Sequence, residues 1–317
     1  GYDCAGAVAF FKDKPKNLKE FHRIKGKILS ETELEKYINE LPKKPLAVGS
    51  DKRLSLAGAQ DKTAVVTIKN KIAIPDDTIP STHILKPAIQ GFVETIENEY
   101  ICLKSAEKIG ISIPKIEIGK ANNTKYFLIE RYDREIKDGK IRRIHQEDFC
   151  QASNIPSAYK YQSEGGVDFK RCIEILKSTT KPAVAIKQFV EMMIFNYLIG
   201  NNDAHGKNFS ILHYDDDTTA FAPAYDILCT SVYPELSQKM AMKIGGYYES
   251  DKIYPRHFER MAKDIGISYT QIKKILKNQC EILPDIVKEV SETFENSVGE
   301  KILQVVSENC TRNLKNF

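Results

Sequence analysis

Hydrophobic patterning changes character about halfway along the chain, and that change limits the folds open to it. The first half reads in short β-branched and aromatic runs: Thr63 to Ile68, Lys71 to Ile74, His83 to Lys86, Lys115 to Ile118, Lys125 to Arg131 and Ile141 to His145. Runs of this length, bounded by turn residues, predict strands. From about Gln146 the apolar spacing becomes helical. Ala183 to Ile199 is the most apolar stretch and predicts a central helix, stopped at Gly200-Asn201-Asn202. Strands followed by helices point to an α+β protein. A chain of 317 residues has room for about two domains. The polar stretch Tyr132 to Gly139 is the natural boundary. It divides a strand-rich N-terminal lobe, 1–135, from a mostly helical C-terminal lobe, 136–317.

Smaller signals fill in the frame. Ala5 to Phe11 is a β-rich run. Ser30 and Glu33 form a capping box before the helical stripe Leu34, Tyr37, Ile38 and Leu41. Lys69-Asn70 joins two strands as a hairpin turn. Glu94 to Ile109 predicts a helix ended by Gly110. Phe209 to His213 and Thr218 to Phe221 predict a hairpin across Asp215-Asp216-Asp217. The remainder reads as helical, with Pro255 and Pro284 in first turns.

Composition excludes several classes. Apolar residues make up 42%, with 14 Phe and 15 Tyr, enough to bury a core and to argue against disorder. No apolar run approaches the roughly 18 residues of a membrane span, so no membrane partner is expected. The net charge of +4 is spread along the chain, too mild for direct nucleic-acid binding. Seven cysteines, an odd number without a C-x-x-C pair, match no zinc pattern. They predict reduced thiols and a cytoplasmic protein. The opening Gly1-Tyr2-Asp3-Cys4 resembles no signal peptide.

Chemistry concentrates in Asn202-Asp203-Ala204-His205-Gly206-Lys207-Asn208, between the apolar helix and a strand. Asp203 and Asn208 reproduce the D-x-x-x-x-N spacing of a kinase catalytic loop, in which an Asp meets the substrate hydroxyl and an Asn holds magnesium. Eighteen residues beyond Asn208, Asp226 in Tyr225-Asp226-Ile227 supplies a second acidic ligand. Magnesium takes oxygen donors and keeps waters, so one Asp, one Asn and phosphate oxygens suffice. A plainer reading stands beside this one: both segments are Asx-rich turns. His205 has no second His or Cys nearby and suits loop ordering better than zinc. Lys86 ends a strand, where a kinase places its phosphate-binding lysine; an exposed surface lysine is the commoner case. Glu99 on the next helix is placed to orient Lys86, with Glu94 and Glu97 as competitors. Small residues in Ser55-Leu56-Ala57-Gly58-Ala59-Gln60 allow backbone N–H groups to approach phosphate. Backbone groups of Glu130 and Tyr132 suit adenine and Asp133 suits ribose, unless the segment is a charged strand end.

Together these segments resemble the HipA family of bacterial toxin kinases. The matching stretches are Leu54 to Thr63, Thr82 to Lys86, Asn98-Glu99-Tyr100, Glu130 to Arg134, Gln146 to Gln151, Gly200 to Ser210, Tyr225-Asp226-Ile227 and Lys252 to Phe258, in family order. The resemblance implies a two-lobed fold related to protein and phosphoinositide kinases, with ATP and magnesium as cofactors. It implies transfer of phosphate to protein Ser or Thr, with Asp203 catalytic and Asn208 and Asp226 on the metal. ATP contacts would come from Lys86, Ser55, Ala57, Gly58, Glu130, Tyr132, Asp133, His205, Lys207, Asn208 and Asp226. Ser55 would be the autophosphorylation site. The implied partners are a DNA-binding HipB-like antitoxin and an aminoacyl-tRNA synthetase substrate whose modification halts translation. The family's N-terminal subdomain precedes the stretch that opens this chain. The expectation is therefore the short HipT-like toxin, with a separate small HipS-like protein supplying the subdomain. A small-molecule or phosphoinositide kinase and a non-catalytic scaffold or corepressor are the competing readings.

Overall fold

The computed structural model of the protein describes residues 3–8, 22–41, 61–76 and 79–316. The chain divides into two compact units. The first takes Gly1–Ile96, Pro114–Gln146 and Leu212–Asp217; the second takes Glu97–Ile113, Glu147–Ile211 and Thr218–Phe317.

The first unit is built on a six-stranded antiparallel sheet. Its order is Gly26–Ile28, Lys71–Pro75, Thr63–Ile68, His83–Pro87, Thr124–Glu130, Ile116–Ala121. The expected hairpin forms with Ile68 opposite Lys71. Lys69 and Asn70 both take positive φ, 51° and 61°, as a two-residue turn of the type I′ kind requires. The Ser30–Glu33 capping box closes reciprocally, at 3.3 Å to the Glu33 N–H and 3.0 Å from the Ser30 N–H. The helix it starts, Glu31–Glu40, buries Leu34 and Ile38 in a cluster with Val65, Ile72, Leu85 and Leu128.

Two segments of this unit differ, over the described residues, from their sequence reading. Tyr132 to Gly139, taken as a boundary, contains the strand Arg134–Lys137, paired with Lys140–Arg143 inside the first unit. Asp138 and Gly139 turn it at φ 52° and 68°. Polarity misled here because this small sheet has half-exposed strands. Ala5 to Phe11 is described only over 5–8, which forms a turn with Gly6 at φ 71° instead of a strand.

The second unit is mainly helical. Pro182–Ile199 runs through its core, and the ring of its Phe189 packs with those of Phe149, Phe209 and Phe221, centroids 5.2–6.5 Å apart. Phe169–Lys177, Pro255–Ile265, Tyr269–Ser291 and Val298–Leu314 surround it. Pro255 does open its helix, but Pro284 lies inside Tyr269–Ser291. The buried stripe Ile272, Leu276, Cys280, Leu283, Val287 and Val290 continues through the proline at helical spacing. That burial outweighs the ~3 kcal/mol or more an interior proline costs. The helical reading from Gln146 onward also needs correction. His145–Asp148 is a strand, and Lys239–Ile244 with Tyr247–Glu249 is a hairpin turned by Gly245 and Gly246 at φ 55° and 97°. All seven cysteines are buried. Among the described residues no helix is long and apolar enough to cross a membrane.

Candidate active site

The apolar helix must end sharply before Asp203, and Gly200 ends it. Gly200 takes φ 78°, and its N–H reaches Asn196 and Tyr197 carbonyls. A Cβ there would sit 2.7 Å from Val305 Cγ1 and 3.0 Å from Ser231 Oγ, so a larger residue is excluded by space as well as by φ. Two asparagines then fix the loop. Asn201 Nδ2 donates to Asn196 Oδ1 at 2.7 Å, and Asn201 Oδ1 accepts the Asp203 N–H at 3.1 Å. Asn202 donates its N–H to Thr230 Oγ1 at 2.8 Å and its amide to Ser231 Oγ at 3.0 Å. Its carbonyl accepts the Ala241 N–H at 2.8 Å.

The Asp203 side chain is 47% exposed. Its Oδ1 accepts a 2.7 Å hydrogen bond from Tyr161, and its Oδ2 lies 3.7 Å from His205 Nε2. His205 is 7% exposed, and its backbone knits the loop: its N–H donates to Asp203 O at 2.8 Å and its carbonyl accepts from Asn208 at 2.9 Å. Phe149 donates its N–H to the Gly206 and Phe209 carbonyls at 3.1 and 3.0 Å, anchoring the loop to the aromatic core. Tyr225 reaches back to the Lys207 carbonyl at 2.8 Å. Asn208 donates its amide to the main-chain carbonyl of Asp226 at 3.3 Å. That bond joins the two segments singled out in the sequence. Asp226 itself takes φ 53°, a conformation that aspartate tolerates better than most residues. Three residues on, the Cys229 backbone is held at both ends by Asn98, N–H to Oδ1 at 2.8 Å and carbonyl from Nδ2 at 3.1 Å.

Burial holds the His205 imidazole down to about 4, against the opposing pull of Asp203. It is therefore neutral near pH 7, and its contact with Asp203 is no ion pair. The unfolded chain binds this proton near pH 6.5, whereas the fold resists it until about 4. Stability from His205 is present above pH 6.5 and is lost as pH falls towards 4. Between pH 7 and 5 the loss is about 2 kcal/mol. Urea unfolding at both pH values should show His205→Gln losing about that much less than the wild type; parallel losses would contradict the assignment.

The first unit places the remaining candidates. Lys86 is 2% exposed in the strand His83–Pro87, opposite Phe127, and is not the surface lysine that base rates favour. Glu97 and Glu99, in the second unit, are 4% and 1% exposed, and Glu94 precedes their helix at φ 52°. The Glu130 N–H is spent on the Lys115 carbonyl at 2.8 Å. Tyr132 is half-buried. Asp133, expected at a ribose, is 4% exposed, and its carboxylate is taken up by Arg131, Arg134 and the Gly6 N–H. Ser55, Ala57 and Gly58 lie outside the described residues. Sequence reasoning missed Tyr161, Asn98, Asn201, Asn202 and Thr230 as supports of the loop. Asn98 stood beside Glu99 in a quoted stretch; a half-buried Tyr in a turn offers no periodic signal.

A protein-family model described as "HipA-like C-terminal domain" matches residues 54–287. The chain belongs to that family. A Sinorhizobium fredii protein that carries a provisional kinase name is 41% identical over 267 residues, covering 83% of this chain and 63% of that protein. The serine/threonine-protein kinase toxin HipA of Shewanella oneidensis is 27% identical over 312 residues, covering 92% of this chain and 69% of that one. The solved structure of that HipA with HipB and operator DNA matches at a TM-score of 0.85 and 24% identity, over 98% of this chain and 76% of that chain. The chain thus spans less than two thirds of the first relative's length. The expected α+β architecture holds, and the fold is that of HipA.

Proposed function

We propose that this chain is an ATP- and magnesium-dependent protein serine/threonine kinase that acts as the toxin of a toxin–antitoxin pair. One observation carries the reading. The accessible Asp203 carboxylate lies in the loop whose Asn208 is hydrogen-bonded to the Asp226 backbone at 3.3 Å. A proton acceptor and two oxygen donors thus share one braced loop system. Among the described residues no cluster of three or more His, Cys, Asp or Glu side chains exists to cage a metal. Two hard oxygen donors fit magnesium, which completes its shell with water and phosphate oxygens. When bound, the ion would neutralise phosphate charge and align the transferred group. Asp203 would orient the attacking hydroxyl and take its proton. Lys86, with Glu99 as its orienting partner, would offset charge on the nucleotide phosphates. His205 and Lys207 would shape the loop around them.

The kinase names of the relatives support this reading, and the HipB–DNA complex of the Shewanella protein supports a DNA-binding antitoxin partner. An aminoacyl-tRNA synthetase is the proposed target. Incubation with labelled ATP and magnesium, with a cell extract as acceptor, tests the function. Label in a synthetase band supports the proposal; label only in small molecules or lipids would replace it with the small-molecule reading.

We also propose Ser55 as an autophosphorylation site. Its sequence neighbours Ala57 and Gly58 are small, and a phosphate on Ser55 would add about −1.5 to −2 charge that repels nucleotide phosphates. Mass spectrometry of purified protein should find Ser55 phosphate, absent from Asp203→Ala, in a fraction with little activity. Full activity of the Ser55-phosphorylated form would refute the role.

A further inference from the structure

We propose that Tyr161 is a positioning residue for phosphoryl transfer, holding the Asp203 carboxylate by one oxygen so that the other faces the incoming hydroxyl. This rests on the reading of Asp203 as the proton acceptor. Tyr161 Oη donates to Asp203 Oδ1 at 2.7 Å. Asp203 Oδ2 has His205 Nε2 at 3.7 Å, beyond hydrogen-bonding reach, and the side chain remains open to solvent. A carboxylate without such a tether rotates about its terminal torsion, which is broad and soft.

The tether is stiff. The Tyr161 carbonyl accepts from Glu164 and Gly166 at 3.0 and 2.9 Å, closing a tight turn. Gly165 takes φ 97°, and a Cβ on Gly166 would meet the Tyr159 carbonyl at 2.7 Å. Gln162 accepts the Lys243 N–H at 2.8 Å. The same strand, Lys239–Ile244, donates from Ala241 to Asn202 at 2.8 Å. One strand therefore anchors both sides of the Tyr161–Asp203 bond. The Tyr161 ring meets the His205 ring edge-on, with centroids 5.5 Å apart and planes at 76°. Burial and then the Asp203 contact push the phenol above its ordinary range, so it stays a donor at every working pH.

Steady-state phosphoryl transfer by Tyr161→Phe tests the assignment. The ring is kept and one charge-assisted hydrogen bond is removed. The expected result is a kcat lower by about 10- to 100-fold, with KM for ATP within about twofold and an unchanged melting temperature. Gln162→Ala, which loosens the tether without touching Asp203, should lower kcat by a smaller factor at the same KM. An unchanged or raised kcat in Tyr161→Phe overturns the inference while the kinase reading stands, and so does a loss confined to KM. Absence of transfer by wild type free of Ser55 phosphate, with magnesium and ATP, overturns the kinase reading and this inference with it.

Discussion

Asp203→Ala is expected to slow phosphoryl transfer by about 100- to 10,000-fold, the range for loss of a general base. Binding of a magnesium–nucleotide complex should barely change, because a base acts mainly in the transition state. Asp226→Ala should show the opposite emphasis. A metal ligand works in the bound ground state, so nucleotide affinity should fall by at least about tenfold along with the rate. Neither change should unfold the protein. Asp203 is about half exposed, and its side chain meets Tyr161 and, at 3.7 Å, His205. The bonds that shape the loop run instead through Asn201, Asn202 and the His205 backbone. Calorimetry with a non-hydrolysable nucleotide, beside labelled transfer, reads both quantities. A larger affinity loss in Asp203→Ala than in Asp226→Ala would exchange their roles, and full activity in either would end the kinase assignment.

Asp133→Ala is expected to destabilise the protein by about 3–5 kcal/mol, the cost of breaking a buried ion pair from one side. Asp3, Arg131, Asp133 and Arg134 form a buried network with side chains at most 6% exposed, and Arg143 adds a longer contact to Asp3 at 3.9 Å. Arg131 contacts Asp133 at 2.6 Å and Asp3 at 3.2 Å, while Arg134 contacts the same two acids at 2.9 and 2.8 Å. Removing Asp133 leaves two buried guanidiniums to one carboxylate and strands the Gly6 N–H, which donates to Asp133 at 2.7 Å. Burial alone would raise the Asp133 carboxyl, but Arg131 and then Arg134 outweigh it and hold it to about 2. Its contribution is therefore present above the unfolded value near 3.8 and is lost as pH falls through about 2. Urea unfolding at pH 7 measures the effect. A loss under about 1 kcal/mol, or a specific loss of nucleotide affinity in fully folded protein, would return Asp133 to the nucleotide.

Elements with strong local signals were legible. The Lys69-Asn70 hairpin, the Ser30–Glu33 cap, the apolar helix and its Gly200 stop all rest on short-range sterics and hydrogen bonds. Elements decided by packing were not. Pro284 sits inside a helix because a buried stripe on both sides overrides the local penalty. Arg134–Lys137 is a strand because Lys140–Arg143 pairs with it, not because its own residues favour one. The hairpin turned at Gly245-Gly246 was not read, because its short flanking strands were absorbed into a helical reading of the region.

By itself the sequence determined the residue types of the candidate site and their order. Asp203, His205 and Asn208 share one loop, and a short loop leaves little freedom in where they stand. Only the tertiary structure decided what surrounds them. It brought Tyr161 to Asp203 across 42 residues, tied Asn208 to Asp226 across 18, and fastened Asn98 to Cys229 across 131. It also withdrew Asp133 into a buried ion network with residues 127 or more positions away at Asp3 and Gly6. The physical reason is range. Turn sterics, caps and apolar spacing act within a few residues and are written in local order. Hydrogen-bond satisfaction of a buried polar group is a property of whichever distant chain segment folds against it.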